Sequence, residues 1–422
     1  MLTLLRITLL AAIVTCSFAC PAQPHDTVLN EPAEWPRPII AGAERIDKYL
    51  PLLKDKRVGI FANHTSMVGR SHVVDTLVKL GVNIKVIFAP EHGFRGTADA
   101  GEKIPNATDP ATGIPVISLY GSKRKPSAED LKDVDIMLFD IQDVGVRFYT
   151  YISSLEEYMD AAFSNGNKPV MVLDRPNPNG FYVDGPVLDT AFRSFVGMQP
   201  VAVVYGMTIG EYAKMLVGER WLPSLKHQYK TVVPKLIVIP CANYTHKSRY
   251  ELPVRPSPNL PEIQSIYWYP STCYFEGTAL SEGRGTDKPF QVFGHPSLPN
   301  NLYSFTPTSR EGAKSPKLLG QVCYGWNLSG TKEEVLDKSG KRIQLSYLLN
   351  AYKLFPDKSK FFITSKANPG PADYFFNKLA GNATLMQQII EGKTELDIRK
   401  SWEPGLNAFK IIRKRYLLYE DF

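Results

Sequence analysis

Five short apolar segments, separated by stretches of helix length, constrain the fold of this chain more than any other feature of its sequence. They are residues 57–63, 85–89, 115–120, 135–140 and 168–174. Apolar runs of this length are typical of strands that are buried on both faces, and strands that alternate with helices form a parallel sheet with helices on both sides. The sequence therefore predicts a Rossmann-like α/β domain.

Polar side chains follow four of these segments at the points where the strands are predicted to end. They are Asn63; Glu91, His92 and Arg95; Asp140, Gln142, Asp143 and Arg147; and Asp174, Arg175 and Asn177. In a parallel sheet of this kind, ligands bind beyond the carboxyl ends of the strands. We therefore expect these side chains to meet at one edge of the sheet and to form a binding or catalytic site there.

Residues 41–299 are predicted to form this catalytic domain, and residues 300–422 a smaller α+β domain. No glycine-rich phosphate motif follows the first strand, so neither a dinucleotide nor another cofactor is expected. The net charge of +7 comes with no basic run and no recognised nucleic-acid module. Nucleic acid is therefore not an expected partner.

The N-terminus has the pattern of an export signal. Residues 1–20 combine one arginine, an apolar run and the sequence Ser17-Phe-Ala-Cys20, which resembles a bacterial lipobox. We expect lipidation at Cys20 and a periplasmic or envelope-anchored lipoprotein, with simple cleavage after Ala19 and a retained anchor as the alternatives. The proline-rich residues 21–40 are predicted to be a linker.

Many ordered motifs in this chain resemble those of one bacterial family, the NamZ-like exo-β-N-acetylmuramidases, formerly a domain of unknown function. The motifs are Glu91-His-Gly-Phe-Arg-Gly96, Asp99-Ala-Gly-Glu102, Ser118-Leu-Tyr-Gly121, Asp140-Ile-Gln-Asp-Val-Gly145, Tyr149-Thr-Tyr151, Leu173-Asp-Arg-Pro-Asn-Pro178, Gly206-Met-Thr-Ile-Gly210, Pro256-Ser-Pro-Asn259, Glu276-Gly-Thr278 and Ser281-Glu-Gly-Arg-Gly-Thr286. The resemblance covers roughly residues 45–420.

This resemblance implies an active-site cleft between a Rossmann-like domain and a smaller C-terminal domain. It also implies release of N-acetylmuramic acid (MurNAc) from the non-reducing end of MurNAc-GlcNAc and longer peptidoglycan glycans. Glu91 matches the catalytic glutamate expected in the family. One departure is Tyr205, which stands where many members have a histidine before Gly-Met-Thr.

Glycoside cleavage needs a carboxylic acid that protonates the leaving oxygen and a second carboxylate. Glu91 suits the first role, and for the second the order of preference is Glu282, Asp143, Asp140 and Glu276. A guanidinium suits the lactyl carboxylate of MurNAc, and the candidates are Arg147, Arg175 and Arg284. Tyr149, among other tyrosines, is expected to contact the sugar. A retaining, inverting or substrate-assisted course and any oligomeric state are left open.

Two other classes of protein remain as alternatives at this stage. In a metal-dependent hydrolase, Asp140, Asp143, Asp174 and His92 would hold a divalent cation, although no tight ligand motif is present. A lipoprotein that binds muropeptides without cleaving them would use the same polar cleft. Chelator sensitivity identifies the first class, and binding without product release identifies the second.

Overall fold

The structure of the protein is a computed structural model that describes residues 37–91, 93–95, 106–227 and 233–422. The export signal with Cys20, most of the linker, and His92 lie outside the described residues. Ile39–Phe422 form one compact unit. None of the helices in the described ranges is both long and apolar enough to cross a lipid bilayer.

The strands of the described ranges fall into three sheets. They are β1 (Arg57–Ala62), β2 (Met67–Val68), β3 (Ser71–His72), β4 (Asn83–Ala89), β5 (Ala107–Thr108), β6 (Pro115–Ser118), β7 (Ile136–Asp140), β8 (Val170–Leu173), β9 (Leu236–Ile239), β10 (Val292–His295), β11 (Tyr303–Phe305) and β12 (Cys323–Asn327). All five apolar segments of the sequence form strands, and residues 236–239 add a sixth strand of the same kind.

The central sheet has the strand order β5-β6-β4-β1-β7-β8-β9. Its neighbouring strands are parallel except for β5 and β6. The chain winds outward from β1 through β4 to β6, and then in the opposite direction from β7 through β8 to β9, which is the doubly wound order of Rossmann folds. The predicted Rossmann-like α/β fold is confirmed. Strands β4, β1, β7 and β8 are consecutive, so the four predicted polar strand ends lie side by side.

Helices pack on both faces of this sheet and make up much of the C-terminal part. They are α1 (Ile46–Leu53), α2 (Val73–Lys79), α3 (Tyr151–Ser164), α4 (Ile209–Gly218), α5 (Pro223–His227), α6 (Ile263–Thr272), α7 (Lys332–Ser339), α8 (Ser346–Leu354), α9 (Phe375–Ala380), α10 (Thr384–Ile390) and α11 (Glu395–Lys414). The antiparallel sheet β10-β12-β11 and helices α7 to α11 make up the C-terminal part, and β10 lies before residue 300, where the smaller domain was predicted to begin.

One continuous apolar core joins the sheet to this C-terminal part. Phe139 of β7, Trp268 of α6 and Phe409 of α11 belong to the same cluster of buried side chains. On the other face of the sheet, Tyr49 of α1 and Leu77 of α2 belong to a second cluster. The burial of apolar surface that stabilises the sheet therefore also holds the C-terminal elements in place.

Candidate active site

A cavity of about 450 Å³ lies beyond the carboxyl ends of the sheet strands. Its walls come from the loops after β4, β6 and β7, from residues 194–196 and 257–260, from residues 269–290, and from helix α9. Eight of the lining residues are aromatic: Tyr120, Phe148, Tyr149, Tyr151, Phe195, Tyr269, Phe290 and Phe375. Aromatic walls with few charged groups are typical of clefts that bind small molecules, because ring faces supply apolar contact area.

Glu91 lines this cavity next to Tyr120. Strands β4 and β6 are paired with Ala89 opposite Ser118, so the residues that follow the two strands are neighbours. The Tyr120 hydroxyl donates a hydrogen bond of 2.9 Å to Oε1 of Glu91. Burial and the charge of Glu91 raise the pKa of Tyr120, so its hydroxyl remains a donor at neutral pH. The Glu91 carboxyl group is thereby oriented by the adjacent strand end.

Two tyrosines after β7 form the wall beside Glu91. Tyr149 and Tyr151 pack edge to face, with ring centroids 4.9 Å apart. Tyr149 donates from its hydroxyl to the Pro256 carbonyl at 2.9 Å. Asn63, at the end of β1, donates from Nδ2 to the Tyr151 hydroxyl at 2.9 Å. Burial and the charge of Glu91 raise the pKa of Tyr151. Asn63 therefore does not line the cavity itself but positions Tyr151, which does.

The cavity lining contains a second carboxylate, Glu276. Nη2 of Arg284 lies 2.5 Å from Oε1 of Glu276, and both side chains line the cavity. Nε of Arg284 lies 3.3 Å from Oε1 of Glu282. Burial alone would lower the pKa of Arg284, but the carboxylates of Glu276 and Glu282 raise it. The guanidinium is thus a fixed positive charge beside Glu276.

Glu282 lies behind this pair and is not among the residues that line the cavity. Its side chain is 3% exposed, and Nζ of Lys317 lies 2.9 Å from its Oε2. The same ammonium group donates to the carbonyls of Phe275 and Thr278 at 2.8 and 3.1 Å. Burial favours protonation of Glu282, but Lys317 and Arg284 outweigh burial and lower its pKa. Glu282 is therefore an ionised anchor for the segment that carries Glu276.

Asp143 is also buried away from the cavity lining. The amide of Gly145 donates to its Oδ2 at 2.6 Å, and the hydroxyl of Tyr205 donates to the same oxygen. Its Oδ1 has no hydrogen-bond partner within the described residues. Burial raises the pKa of Asp143 to about 7, against the hydrogen bonds that stabilise its ionised form. Tyr205 is therefore a buried hydrogen-bond partner of Asp143, and neither residue lines the cavity.

Asp140 and Arg175 form a buried ion pair at the ends of β7 and β8. Nε of Arg175 lies 2.6 Å from Oδ1 of Asp140, and Nη2 lies 2.9 Å from Oδ2. Asp174 accepts hydrogen bonds from Thr208, Gly210 and Tyr419, and burial raises its pKa to about 6. Neither aspartate lines the cavity, and in the described ranges no three His, Cys, Asp or Glu side chains are grouped as a metal site requires.

Arg147 does not point into the cavity either. Its guanidinium is fully buried and donates to four backbone carbonyls, those of Pro186, Val201, Leu379 and Ala380, at 2.8–2.9 Å. Burial lowers the pKa of Arg147 to about 10. We therefore assign Arg147, like Arg175, a structural role in place of the expected contact with substrate.

Three further residues expected in the site, Gln142, Asn177 and Arg95, are outside the cavity lining. Gln142 donates to the carbonyls of Asp143 and Pro176, and Asn177 donates to the carbonyl of Met207, so both hold the strand-end loops together. Arg95 pairs with Asp75 and Asp109 and is not part of the cavity lining. Of the site residues expected from the sequence, Glu91, Tyr149, Glu276 and Arg284 line the cavity.

Three side chains that line the cavity were not among the site residues expected from the sequence: Arg124, Ser194 and Lys378. Arg124 lies four residues after Tyr120, so its distance from the end of β6 was an available signal. Lys378 lies on α9, more than 280 residues after Glu91 in the chain. No local pattern indicates that this helix reaches the ends of the sheet strands.

Comparison with known proteins places this geometry in context. The family described as exo-beta-N-acetylmuramidase NamZ matches with its N-terminal part at residues 58–264 and its C-terminal part at residues 267–419. The peptidoglycan beta-N-acetylmuramidase NamZ of Bacillus subtilis (strain 168) is 37% identical to this chain over an alignment of 410 residues. The match covers 92% of this chain and 93% of that protein.

Two crystal structures of DUF1343 family proteins from Bacteroides fragilis NCTC 9343 share the fold. The first has a TM-score of 0.80 and 46% identity, and the match covers 91% of this chain and all of that one (100%). The second has a TM-score of 0.72 and 28% identity, with coverage of 90% and 99%.

Proposed function

Because the chain belongs to the NamZ family of exo-β-N-acetylmuramidases, we propose that it is a glycoside hydrolase that releases MurNAc from the non-reducing end of peptidoglycan fragments. The observation that carries this proposal is the presence of two carboxylates, Glu91 and Glu276, in the lining of one aromatic cavity. Glycoside hydrolysis requires a pair of carboxyl groups on the two sides of the scissile bond.

Glu91 is the general acid in this proposal. Its carboxyl group protonates the glycosidic oxygen as the bond between that oxygen and the anomeric carbon of MurNAc breaks. The hydrogen bond of 2.9 Å from Tyr120 supports this role, because it fixes the orientation of the carboxyl group towards the cavity. The rings of Tyr149 and Tyr151 line the same cavity and supply apolar contact area for the sugar.

Glu276 is the second carboxylate. Positive charge develops on the anomeric carbon as the leaving group departs, and a carboxylate in the same cavity stabilises it before water supplies the new hydroxyl group. Arg284, 2.5 Å from Glu276, supports this role because the ion pair holds the Glu276 carboxylate in the cavity lining. Glu282, Asp143 and Asp140, which the sequence favoured over Glu276, are outside the cavity lining.

We also propose that the protein is exported and attached to the envelope through a lipid on Cys20. The apolar N-terminal run and the Ser17-Phe-Ala-Cys20 sequence support this proposal, as does a substrate that belongs to the bacterial cell wall. Metabolic labelling with a radioactive fatty acid tests it. Label is expected on the wild-type chain and not on Cys20→Ala, and label on both variants would contradict lipidation at this residue.

The decisive experiment measures release of MurNAc from MurNAc-GlcNAc by residues 21–422. Wild-type protein is expected to release MurNAc with or without a chelator, since Asp140 and Asp174 already bond to other protein groups. Glu91→Gln is expected to be folded and at least ~100-fold slower. Glu129→Gln is the control, because the side chain of Glu129 is 75% exposed.

Two outcomes would replace this proposal with one of the alternatives. Loss of activity with a chelator, restored by a divalent cation, would identify a metal-dependent hydrolase. Binding of the disaccharide by wild-type protein without any cleavage would identify a muropeptide-binding protein. Full activity of Glu91→Gln would show that Glu91 is not the acid.

A further inference from the structure

The active-site cavity contains two cations that form no ion pair with an acidic side chain of the described residues; acidic groups on which their charges act from farther away are Glu157 for Arg124 and Asp373 for Lys378. Arg124 and Lys378 line the cavity, and no described carboxylate lies within 4.0 Å of either charged group. Arg284 in the same cavity differs, because Glu276 and Glu282 both pair with it. A cation in a ligand cavity without a protein counter-ion is suited to an anionic group of the ligand.

Arg124 is held in place by an aromatic ring. Its guanidinium lies 4.2 Å from the ring centroid of Phe195, which also lines the cavity. Stacking of this kind restricts the side chain and leaves the edge of the guanidinium, with its N–H donors, for a planar anion. A carboxylate is the planar anion that this edge fits best.

The residue before Phe195 supplies a second polar group. The Oγ atom of Ser194 is buried and has no hydrogen-bond partner within the described part of the chain. Ser194 itself lines the cavity. A buried hydroxyl without a partner costs free energy, and a ligand oxygen that accepts its hydrogen removes that cost.

Lys378 reaches the cavity from the C-terminal part of the chain. It lies on α9, and the amide of Asp189, in the segment that leads to Ser194, donates to the carbonyl of Gly381 just after that helix at 2.8 Å. The bonds from Arg147 to Leu379 and Ala380 fix the same helix end. The segments that carry Ser194 and Lys378 are thus connected to each other.

Tyr120 interacts with the Glu91 carboxyl group and with the charge of Arg124. Its hydroxyl donates to Glu91, and the charges of both Arg124 and Arg284 act on it to oppose the rise in its pKa. One ring therefore lies within electrostatic range of Glu91 and of Arg124. A sugar whose glycosidic oxygen contacts Glu91 occupies the same cavity that Arg124 lines.

The geometry points to Arg124, Ser194 and Lys378 as a carboxylate subsite that binds the lactyl group of MurNAc and so selects this sugar over N-acetylglucosamine (GlcNAc). This inference rests on the proposed hydrolysis of MurNAc glycosides. The lactyl ether is the substituent that distinguishes the two sugars, and its carboxylate is ionised at neutral pH. Of the three arginines that the sequence suggested for this role, Arg147 and Arg175 are outside the cavity lining, and Arg284 lines the cavity but pairs with Glu276 and Glu282.

The test compares two substrates that differ only in charge: 4-nitrophenyl β-MurNAc and its lactyl methyl ester. Wild-type protein is expected to cleave the free acid with a kcat/KM at least ~10-fold higher than that for the ester, as expected for charge-assisted hydrogen bonds. The variant Arg124→Gln/Lys378→Gln is expected to lose at least ~10-fold on the acid and to retain its kcat/KM on the ester. Arg124→Lys is expected to retain part of the preference.

Arg310→Gln is the matched control, because Arg310 is an exposed arginine outside the cavity lining. A calorimetric titration with free MurNAc and with GlcNAc adds a readout that does not depend on turnover. Wild-type protein is expected to bind MurNAc more tightly than GlcNAc, and the double variant is expected to bind both equally.

Four results would overturn the subsite. Equal cleavage of acid and ester by wild-type protein would show that the carboxylate is not recognised, while the proposed function would stand. An equal loss of kcat/KM on both substrates in the double variant would show that Arg124 and Lys378 do not bind the lactyl carboxylate. An unchanged preference of the double variant for the acid would show the same. Cleavage of neither substrate by wild-type protein would overturn the proposed function together with the subsite.

Discussion

Tyr205 donates its hydroxyl hydrogen to Oδ2 of Asp143 in the interior of the protein. Both side chains are buried, with exposed fractions of 0% and 5%. The amide of Gly145 donates to the same oxygen at 2.6 Å, and the ring of Tyr205 packs against that of Tyr212. The residue that departs from the family pattern is therefore a partner of Asp143 behind the cavity.

Asp143→Asn is expected to reduce the dependence of stability on pH. The pKa of Asp143 is about 7 in the folded protein and 3.8 without the fold, so between these values the folded state binds more protons than the unfolded state. Stability therefore falls as pH rises through this interval. The asparagine side chain does not titrate, so from about pH 4.5 to about pH 8 the variant should gain at least ~1.4 kcal/mol relative to wild type.

Urea denaturation at the two pH values measures this difference. Asp47→Asn is the control, because the side chain of Asp47 is 71% exposed. A difference between wild type and Asp143→Asn that is the same at both pH values would contradict the raised pKa.

Tyr120→Phe is expected to lower kcat by about tenfold and to change KM little. The substitution keeps the ring in the cavity wall and removes the hydrogen bond of 2.9 Å to Glu91, a bond that contributes ~0.5–1.5 kcal/mol. Steady-state kinetics on MurNAc-GlcNAc measure both constants, with Tyr303→Phe, an exposed tyrosine, as the control. A rise in KM alone would mean that the hydroxyl binds the sugar and does not orient Glu91.

Glu276→Gln is expected to lower activity, and Glu282→Gln is expected to lower stability. The first should lower kcat by at least ~100-fold at nearly unchanged stability, because Glu276 faces the cavity. The second should lower the free energy of unfolding by about 3 kcal/mol, because it leaves the charge of Lys317 without its buried counter-ion and removes one of the two carboxylates that pair with Arg284. Kinetics and urea denaturation on both variants separate the two roles.

A folded Glu282→Gln with a large kcat defect and unchanged stability, beside an active Glu276→Gln, would exchange the two assignments. The second carboxylate would then be the one that the sequence favoured first.

Arg147→Met is expected to destabilise the protein by at least ~3 kcal/mol. The four carbonyls that now accept hydrogen bonds from the guanidinium would be left in the interior without these donors. Urea denaturation measures the loss, and Arg342→Met, at an exposed arginine, is the control. The folded fraction should retain the preference for the lactyl acid over its ester, and loss of that preference alone would assign Arg147 to substrate binding.

The central sheet was predictable because its strands are buried on both faces, which makes each one a continuous apolar run. Helices at its margins were less predictable. The sequence predicts the last helix at residues 406–416, but α11 begins at Glu395. Pro404 and Gly405 interrupt the local pattern, while burial of Trp402 and Leu406 continues the helix through them. The sequence from Ser127 to Leu131 also has the pattern of a helix start with an N-cap serine, but only one short turn, Glu129–Leu131, forms there.

The candidate site was predictable only in part, because a strand end does not determine the direction of its side chains. Glu91 and Arg147 both follow buried strands, yet one lines the cavity and the other bonds to the backbone. The walls formed by Glu276 and Lys378 depend on contacts between segments far apart in the chain. Such contacts leave no local periodicity in the sequence.

The four bonds of Arg147 also bear on how glycan ends enter the protein. They attach the end of α9, with the wall that Phe375 and Lys378 form, to the segment between Pro186 and Val201. A wall fixed in this way does not act as a lid, so little of the binding free energy is used for closure. Admission of a chain end is then decided by the fit of its terminal sugar to an entrance that is already open.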